Sequence, residues 1–267
     1  ALHNRIEPGR KEYDRPYQLL SGATQLRFTP DDSTVAKVYA QYDRTDFSTY
    51  EGDDRRLFGL NEHNVYLNAT LRHTSDAGWE WFAGAAWSYN RRTVDNAAAM
   101  GDAWLQRQQE LHLKAKLGRH LSPVFRLDGG VEAFFRSYAT RYRFPASDSE
   151  AEGRVSPSLG AAFLSGAYFP LERLKVEASV RAEHHGQSGA TEVSPRLALS
   201  WFQGDVVLTA VVGRYTQLAA DSLLVRQAGL RSEVCWQYNA GLQYCRDGRL
   251  VKVEAYYKKY SRLPLWE

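Results

Sequence analysis

A chain of 267 residues is long enough for one large all-β domain or two small ones. Its 34 basic and 31 acidic residues give a net charge of +3, spread along the chain without the basic stripe that nucleic acids require. Hydrophobic content is 43% and mean hydropathy −0.51, and no apolar run approaches the ~18 residues of a membrane helix, which excludes helical spans but not a transmembrane β-barrel.

Taken in chain order, the sequence alternates with period two almost throughout. The faintest alternation comes first, at Thr24–Phe28, followed by Val35–Tyr42, Val65–Leu71 and Trp79–Tyr89. Next, Leu111, Leu113, Ala115 and Leu117 oppose Glu110, His112, Lys114 and Lys116. Phe125, Leu127, Val131, Ala133 and Phe135 then oppose Arg126, Asp128, Glu132 and Arg136. After a segment at Val155–Tyr168, Leu174, Val176, Ala178, Val180 and Ala182 oppose Lys175, Glu177, Ser179, Arg181 and Glu183. Val193–Trp201, Val206–Tyr215, Val234–Tyr244 and Leu250–Tyr260 complete the series. The pattern predicts about twelve strands, many near the ~9–11 residues that cross a bilayer at a tilt, and no sustained helix.

The links alternate in length. Short ones (Thr29–Ser33, Thr74–Gly78, Gly118–Pro123, Phe169–Glu172, Phe202–Asp205, Arg246–Arg249) are separated by longer ones (Asp43–Asn64, Asn90–Gln109, Ala139–Arg154, His184–Glu192, Gln217–Glu233). A meander with one tight rim and one elaborated rim has the form of an outer-membrane barrel. The apolar face is rich in Ala, and Trp79, Trp81, Trp87 and Tyr89 suit an interfacial girdle. The opposite face mixes both charge signs, as a wet or filled lumen tolerates. The expected fold is therefore all-β, an antiparallel up-and-down transmembrane β-barrel segment over 1–267, with Leu197, Leu199 and Trp201 toward lipid. Link parity places both Ala1–Leu20 and Ser261–Glu267 on the long-link rim. An interior segment of a larger barrel, lacking closing strands, satisfies that parity.

Four stretches carry a resemblance. VSPRLALSW (Val193–Trp201) resembles the SPR-x-x-L strand of TonB-dependent outer-membrane receptors, and GRYTQ (Gly213–Gln217), LRSEVCWQYNAGLQY (Leu230–Tyr244) and VEAYYKKYSRLP (Val253–Pro264) follow in the order seen in the Bacteroidetes-type nutrient receptors. The resemblance implies the outer membrane of a Gram-negative bacterium, contact with its lipid and lipopolysaccharide, and energised uptake of a scarce nutrient or metal chelate. It also implies the TonB complex as a partner, acting through a plug domain; neither a plug nor a TonB-box segment is recognisable in this sequence.

Long links carry function on a rigid scaffold. Arg91, Arg92 and Trp104 in one link, and Arg141, Tyr142 and Arg143 in another, combine basic and aromatic character suited to an anionic or sugar ligand. Arg196 and Arg214 are candidates for lumen contacts with a plug or with carboxylates such as Glu233. Tyr257 is expected at the lipid interface and Tyr256 in the lumen.

No enzyme, metal or cofactor is expected. His184 and His185 point to opposite faces and lack a third ligand at suitable spacing. His184 with Ser188 is a bare lipase-like pair without a third partner, and Glu110 and Asp128 are simply two lumen acids. Gly129, Gly130, Gly160 and Gly166 lie within strands, not between a strand and a helix as phosphate binding requires. Cys235 and Cys245 are expected as free thiols. Two alternatives remain: a complete small outer-membrane channel or structural barrel, and a soluble β-sandwich binding module.

Overall fold

The computed structural model describes residues 17–51, 55–96, 102–144, 148–227 and 229–263. Its strands are β1 (Tyr17–Asp31), β2 (Thr34–Glu51), β3 (Arg55–Thr74), β4 (Trp79–Asn96), β5 (Asp102–Ser122), β6 (Phe125–Phe144), β7 (Ser149–Val155), β8 (Ser158–Leu171), β9 (Leu174–His185), β10 (Ala190–Gln203), β11 (Val206–Gln217), β12 (Glu233–Arg246) and β13 (Arg249–Ser261), with one short helix, α1 (Asp221–Arg226). All thirteen lie in one antiparallel sheet in sequence order. Both β7 and β8 pair with β6, one above the other; β8 is the strand expected over Val155–Tyr168, whereas β7 lies in the expected link Ala139–Arg154. The break falls at Ser156–Pro157, where proline has no N–H to give the ladder. The twelve expected strands are present, and β7 is a thirteenth that the sequence reads as part of a link.

Tight turns close the short-link rim. At Arg246–Arg249 both central residues have positive φ, 50° at Asp247 and 75° at Gly248, the conformation an Asp-Gly hairpin adopts readily. The long links differ from expectation. Three of them are not loops: β2–β3, β4–β5 and β6–β7 continue as paired ribbons to Glu51↔Arg55, Asn96↔Asp102 and Phe144↔Ser149. Among the described residues, Gln217–Glu233 is the link that leaves the sheet and carries α1. Of the termini assigned to this rim, residues 1–16 and 264–267 lie outside the described residues. β1 and β13 form the sheet's two edges, each paired with one neighbour.

Burial is inverted relative to a water-soluble sheet. Leu111 and Leu113 are 36% and 40% exposed, whereas the Glu132 and Glu183 side chains on the opposite face retain only 8% and 11%. Leu197, Leu199 and Trp201 are likewise exposed. Among the described residues no second sheet covers this apolar face, so a sandwich is not the architecture. Register partners align its side chains into rows: Ala40, Leu67, Trp87, Leu111 and Phe135 in one, and His73, Trp81, Leu117, Gly129 and Leu164 in a lower one. From Tyr89 to Trp79 the apolar belt spans about 33 Å of strand, or about 23 Å of height at ~45° tilt, close to the ~25 Å band of membrane barrels. Trp87 stacks on Tyr89 at the top, and the Arg119 guanidinium sits 5.1 Å from the Trp79 ring centroid at the bottom. Tyr256 and Tyr257 are both exposed on edge strand β13, at 72% and 63%. Cys235 and Cys245 are free thiols at opposite ends of β12.

Candidate functional site

Above the apolar belt the pleat separates residues that the sequence groups together. Because consecutive side chains on a strand point to opposite faces, Arg92, Trp104 and Tyr142 share the polar face while Arg91, Arg141 and Arg143 share the other. All six stand on strands, not on loops.

On the polar face, Val94, Trp104 and Tyr142 are consecutive register partners across β4, β5 and β6. Trp104 stacks on Tyr142 with ring centroids 5.7 Å apart and planes 7° apart, and Tyr142 stacks on Phe144 at 6.3 Å and 10°. Trp104 Nε1 donates to Thr140 Oγ1 at 2.7 Å, fixing the indole. Partly exposed and nearly parallel, the three rings form a stacked aromatic strip. Arg92 lies beside it and pairs with Glu62 at 3.1 Å, while Asn90 also donates to Glu62, at 3.0 Å. Burial alone would raise the Glu62 carboxyl, but hydrogen bonds from Asn90 and Arg92, with the arginine's charge, outweigh it and hold the group below its ordinary value. Arg92 Nε is buried and has no hydrogen-bond partner among the described residues.

Lower on this face the Gln217–Glu233 link folds inward. Leu224 of α1 packs with Tyr138, Val155 and Ala219 in a small hydrophobic cluster. Asp221 accepts a hydrogen bond from Arg136 Nη1 at 2.9 Å, and Arg136 also reaches Glu110 at 2.8 Å. Ser232 and His185, 0% and 1% exposed, join at 3.2 Å to pin the far end of the link. Between link and sheet lies a cavity of about 330 Å³ with Arg136, Arg181 and Glu183 in its wall. The sequence reading missed this inward fold. Its signal was local: Asp221 in the first turn and Arg226 in the last turn of a short apolar run.

A ladder of charge-assisted bonds continues down the polar face. Glu132 bridges Lys114 (2.5 Å) and Arg181 (2.8 Å), and Arg181 extends to Glu183 (2.6 Å). Asp128 bridges Lys116 (3.0 Å) and Arg126 (2.8 Å), and Arg126 reaches Glu80 (2.8 Å). Such bonds are shorter and stronger than neutral ones, which suits a wall that must stay ordered while wet.

Other candidates fall as follows. Arg196 donates to Tyr215 Oη at 2.8 Å and lies over its ring. Arg214 pairs with Glu192, not with Glu233, and also donates to the Val193 carbonyl. Arg262 completes a triad on Glu192. Glu233, the first residue of β12, stands opposite Gln217. Glu110 and Asp128 each belong to separate ion pairs. His184 bonds Thr191 at 3.1 Å, and Ser188 accepts from the Ala190 amide, so those two do not pair. Among the described residues, no group of three His, Cys, Asp or Glu side chains is placed to hold a metal ion.

The family model "TonB dependent receptor-like, beta-barrel" matches residues 4–265. No curated protein sequence matches the chain. Solved structures similar in fold include the alcaligin outer-membrane receptor FauA of Bordetella pertussis (12% identity, TM-score 0.72, 91% of this chain and 44% of that one). The copper transporter OprC shares 16% identity at TM-score 0.71, over 90% of this chain and 45% of that one. The outer-membrane transporter YddB of Escherichia coli shares 11% identity at TM-score 0.73, over 95% and 41%. The chain thus spans less than half the length of these proteins. Family match, inverted burial and up-and-down topology agree: the chain belongs to the TonB-dependent receptor β-barrels of the Gram-negative outer membrane.

Proposed function

We propose that this chain is part of a receptor for energised uptake of a scarce nutrient or metal chelate. The apolar face meets lipid, the polar face lines the lumen, and the ribbon rim is extracellular. The observation that carries the reading is the Trp104–Tyr142–Phe144 strip beside Arg92, at the extracellular end of the lumen face. Flat rings beside a partly exposed guanidinium suit a planar or sugar-like ligand with anionic character. Similarity to an alcaligin receptor and a copper transporter agrees with chelate cargo. The paired ladder below offers a surface on which a plug domain coupled to TonB can seat and shift.

The test uses the full-length receptor in its native cells, with labelled ferric and cupric chelates, corrinoids and oligosaccharides as probes. One probe class should accumulate only when TonB is present. Trp104→Ala or Tyr142→Ala should weaken its binding by about two- to ten-fold, the worth of one aromatic contact. Accumulation that is identical without TonB would leave a passive channel instead.

A further inference from the structure

The extracellular ribbon rim ends in an open strand edge. Above the break at Ser156–Pro157, β7 continues the register that β8 keeps on β6, from Phe135↔Ser158 to Tyr138↔Val155. The Arg136 amide donates to the Pro157 carbonyl at 3.0 Å, which fixes the phase of this ladder. Ala151, Gly153 and Val155 therefore turn their backbone groups toward β6, whereas Glu150, Glu152 and Arg154 turn theirs away. Lower down, the equivalent groups of β8 are taken by β9, beginning with the Gly186 amide on the Ser158 carbonyl at 2.9 Å. Continued upward, that register would set Ala190, Glu192 and Ser194 beside Arg154, Glu152 and Glu150. The chain has already turned at Gly186–Gly189 into β10, so β7 pairs with β6 alone. Three N–H and three C=O groups are left facing outward over about 14 Å of exposed strand.

What flanks this edge limits what can sit there. On the lumen face α1 packs against the strand so closely that a Cβ on Gly153 would collide with Val225. On the outer face Arg154 ends a row of arginines at one height, with Arg44, Arg91 and Arg107. Glu152 is held by Arg141, but Glu150 and Arg154 are exposed and make no ion pair among the described residues. β7 has neither the proline nor the bulge that commonly closes an edge. Its charges are of both signs, so they select among incoming strands instead of repelling all of them.

We infer that the free edge of β7 docks an extended peptide segment of an extracellular partner, which adds to the sheet as an antiparallel strand. The segment carries a basic side chain opposite Glu150 and an acidic one opposite Arg154. Between them, apolar side chains pass Ala151 and Gly153 toward α1. A second copy in the same membrane does not fit: strands tilted at ~45° and related by an axis along the membrane normal cross at about 90°. The inference rests on the extracellular placement of this rim and is independent of the cargo.

The test titrates a fluorescent peptide, acetyl-Thr-Glu-Val-Thr-Val-Lys-Thr-amide, with the full-length receptor in detergent, where neither uptake nor TonB enters the result. Laid antiparallel, its Glu meets Arg154 and its Lys meets Glu150. Saturable binding is expected. N-methylation of its Glu, central Thr and Lys, whose amides bond β7, should weaken binding by about ten-fold or more. N-methylation of the two Val, whose amides point away, should change it less than about two-fold. Exchanging Glu and Lys should weaken it by about two- to five-fold. Glu152→Pro removes one outward donor and spares every bond to β6, so it should weaken binding about ten-fold. Glu152→Ala, which keeps that donor, should bind as wild type does. Heat-modifiable migration in electrophoresis checks that each barrel has folded, and the methylation comparison decides without any variant. Absence of saturable binding to folded wild type overturns the proposal. So does equal sensitivity to the two methylation sets, which marks a contact through side chains alone, or undiminished binding by folded Glu152→Pro.

Discussion

The two halves of the sheet are built to different heights. Strands β2 to β6 run 18 to 21 residues, whereas β8 to β13 run 12 to 14. Both cross the same apolar belt, so the extra residues of the tall half stand in water. That half projects ribbons with a stacked aromatic strip on one face and an arginine row on the other. On the short half, the β11–β12 link turns inward and packs over the lumen wall. Height thus decides whether a segment between crossings becomes a display surface or a cover.

The largest test of this contrast sets level against level on one strand. Leu113→Arg places a charge within the belt and should destabilise the folded receptor in bilayers by about 2–4 kcal/mol. Leu105→Arg, on the same face but above the arginine row, should cost about 0–1 kcal/mol. Chemical unfolding in liposomes measures both, and equal costs would place the water boundary elsewhere.

A smaller effect belongs to the short half. Asp221→Ala removes the acid that ties α1 to Arg136, which keeps Glu110 as a second partner, so the loss should be about 1–3 kcal/mol. It should appear as faster amide exchange over 218–232 with β5 and β6 unchanged. Unaltered exchange in the link would show that the Leu224 cluster holds it unaided.

The smallest effect concerns Glu62, which stands above the belt in the tall half. Its pKa is depressed in the folded state, so its stabilisation is present above the ordinary carboxylate range and is lost as pH falls through the lowered value. Partly exposed, the Arg92 pair contributes up to about 1 kcal/mol. The Tm difference between wild type and Glu62→Gln should stay constant from pH 7 to the top of the carboxylate range and vanish only well below it. A difference that disappears already near neutrality would contradict the depressed pKa.

Much of this was legible because a lipid-facing strand must alternate. Leu111 to Leu117 and Leu174 to Ala182 announce strands and faces alike, since one side meets hydrocarbon. The ribbons were not legible for the same reason: above the belt both faces meet water, so Arg91 and Arg92, or Arg141, Tyr142 and Arg143, carry no alternation. Composition there reads as loop, and only the register divides the residues between lumen and lipid side. The partner of Arg214 was hidden differently. Glu192 lies 22 residues away on the neighbouring strand, and nothing local distinguishes it from Glu233.

The charge ladder of the lumen wall has one more consequence. Glu80, Asp128, Glu132 and Glu183 are answered by Arg126, Lys116, Lys114 and Arg181, acid for base, at contact distance. Charges cancelled so closely project little field beyond their own neighbours, and neither steer ions nor depend strongly on ionic strength. Over this stretch the wall is therefore electrically muted but dense in hydrogen-bonding groups, so it presents shape and exchangeable bonds, rather than one sign of charge, to whatever lies against it.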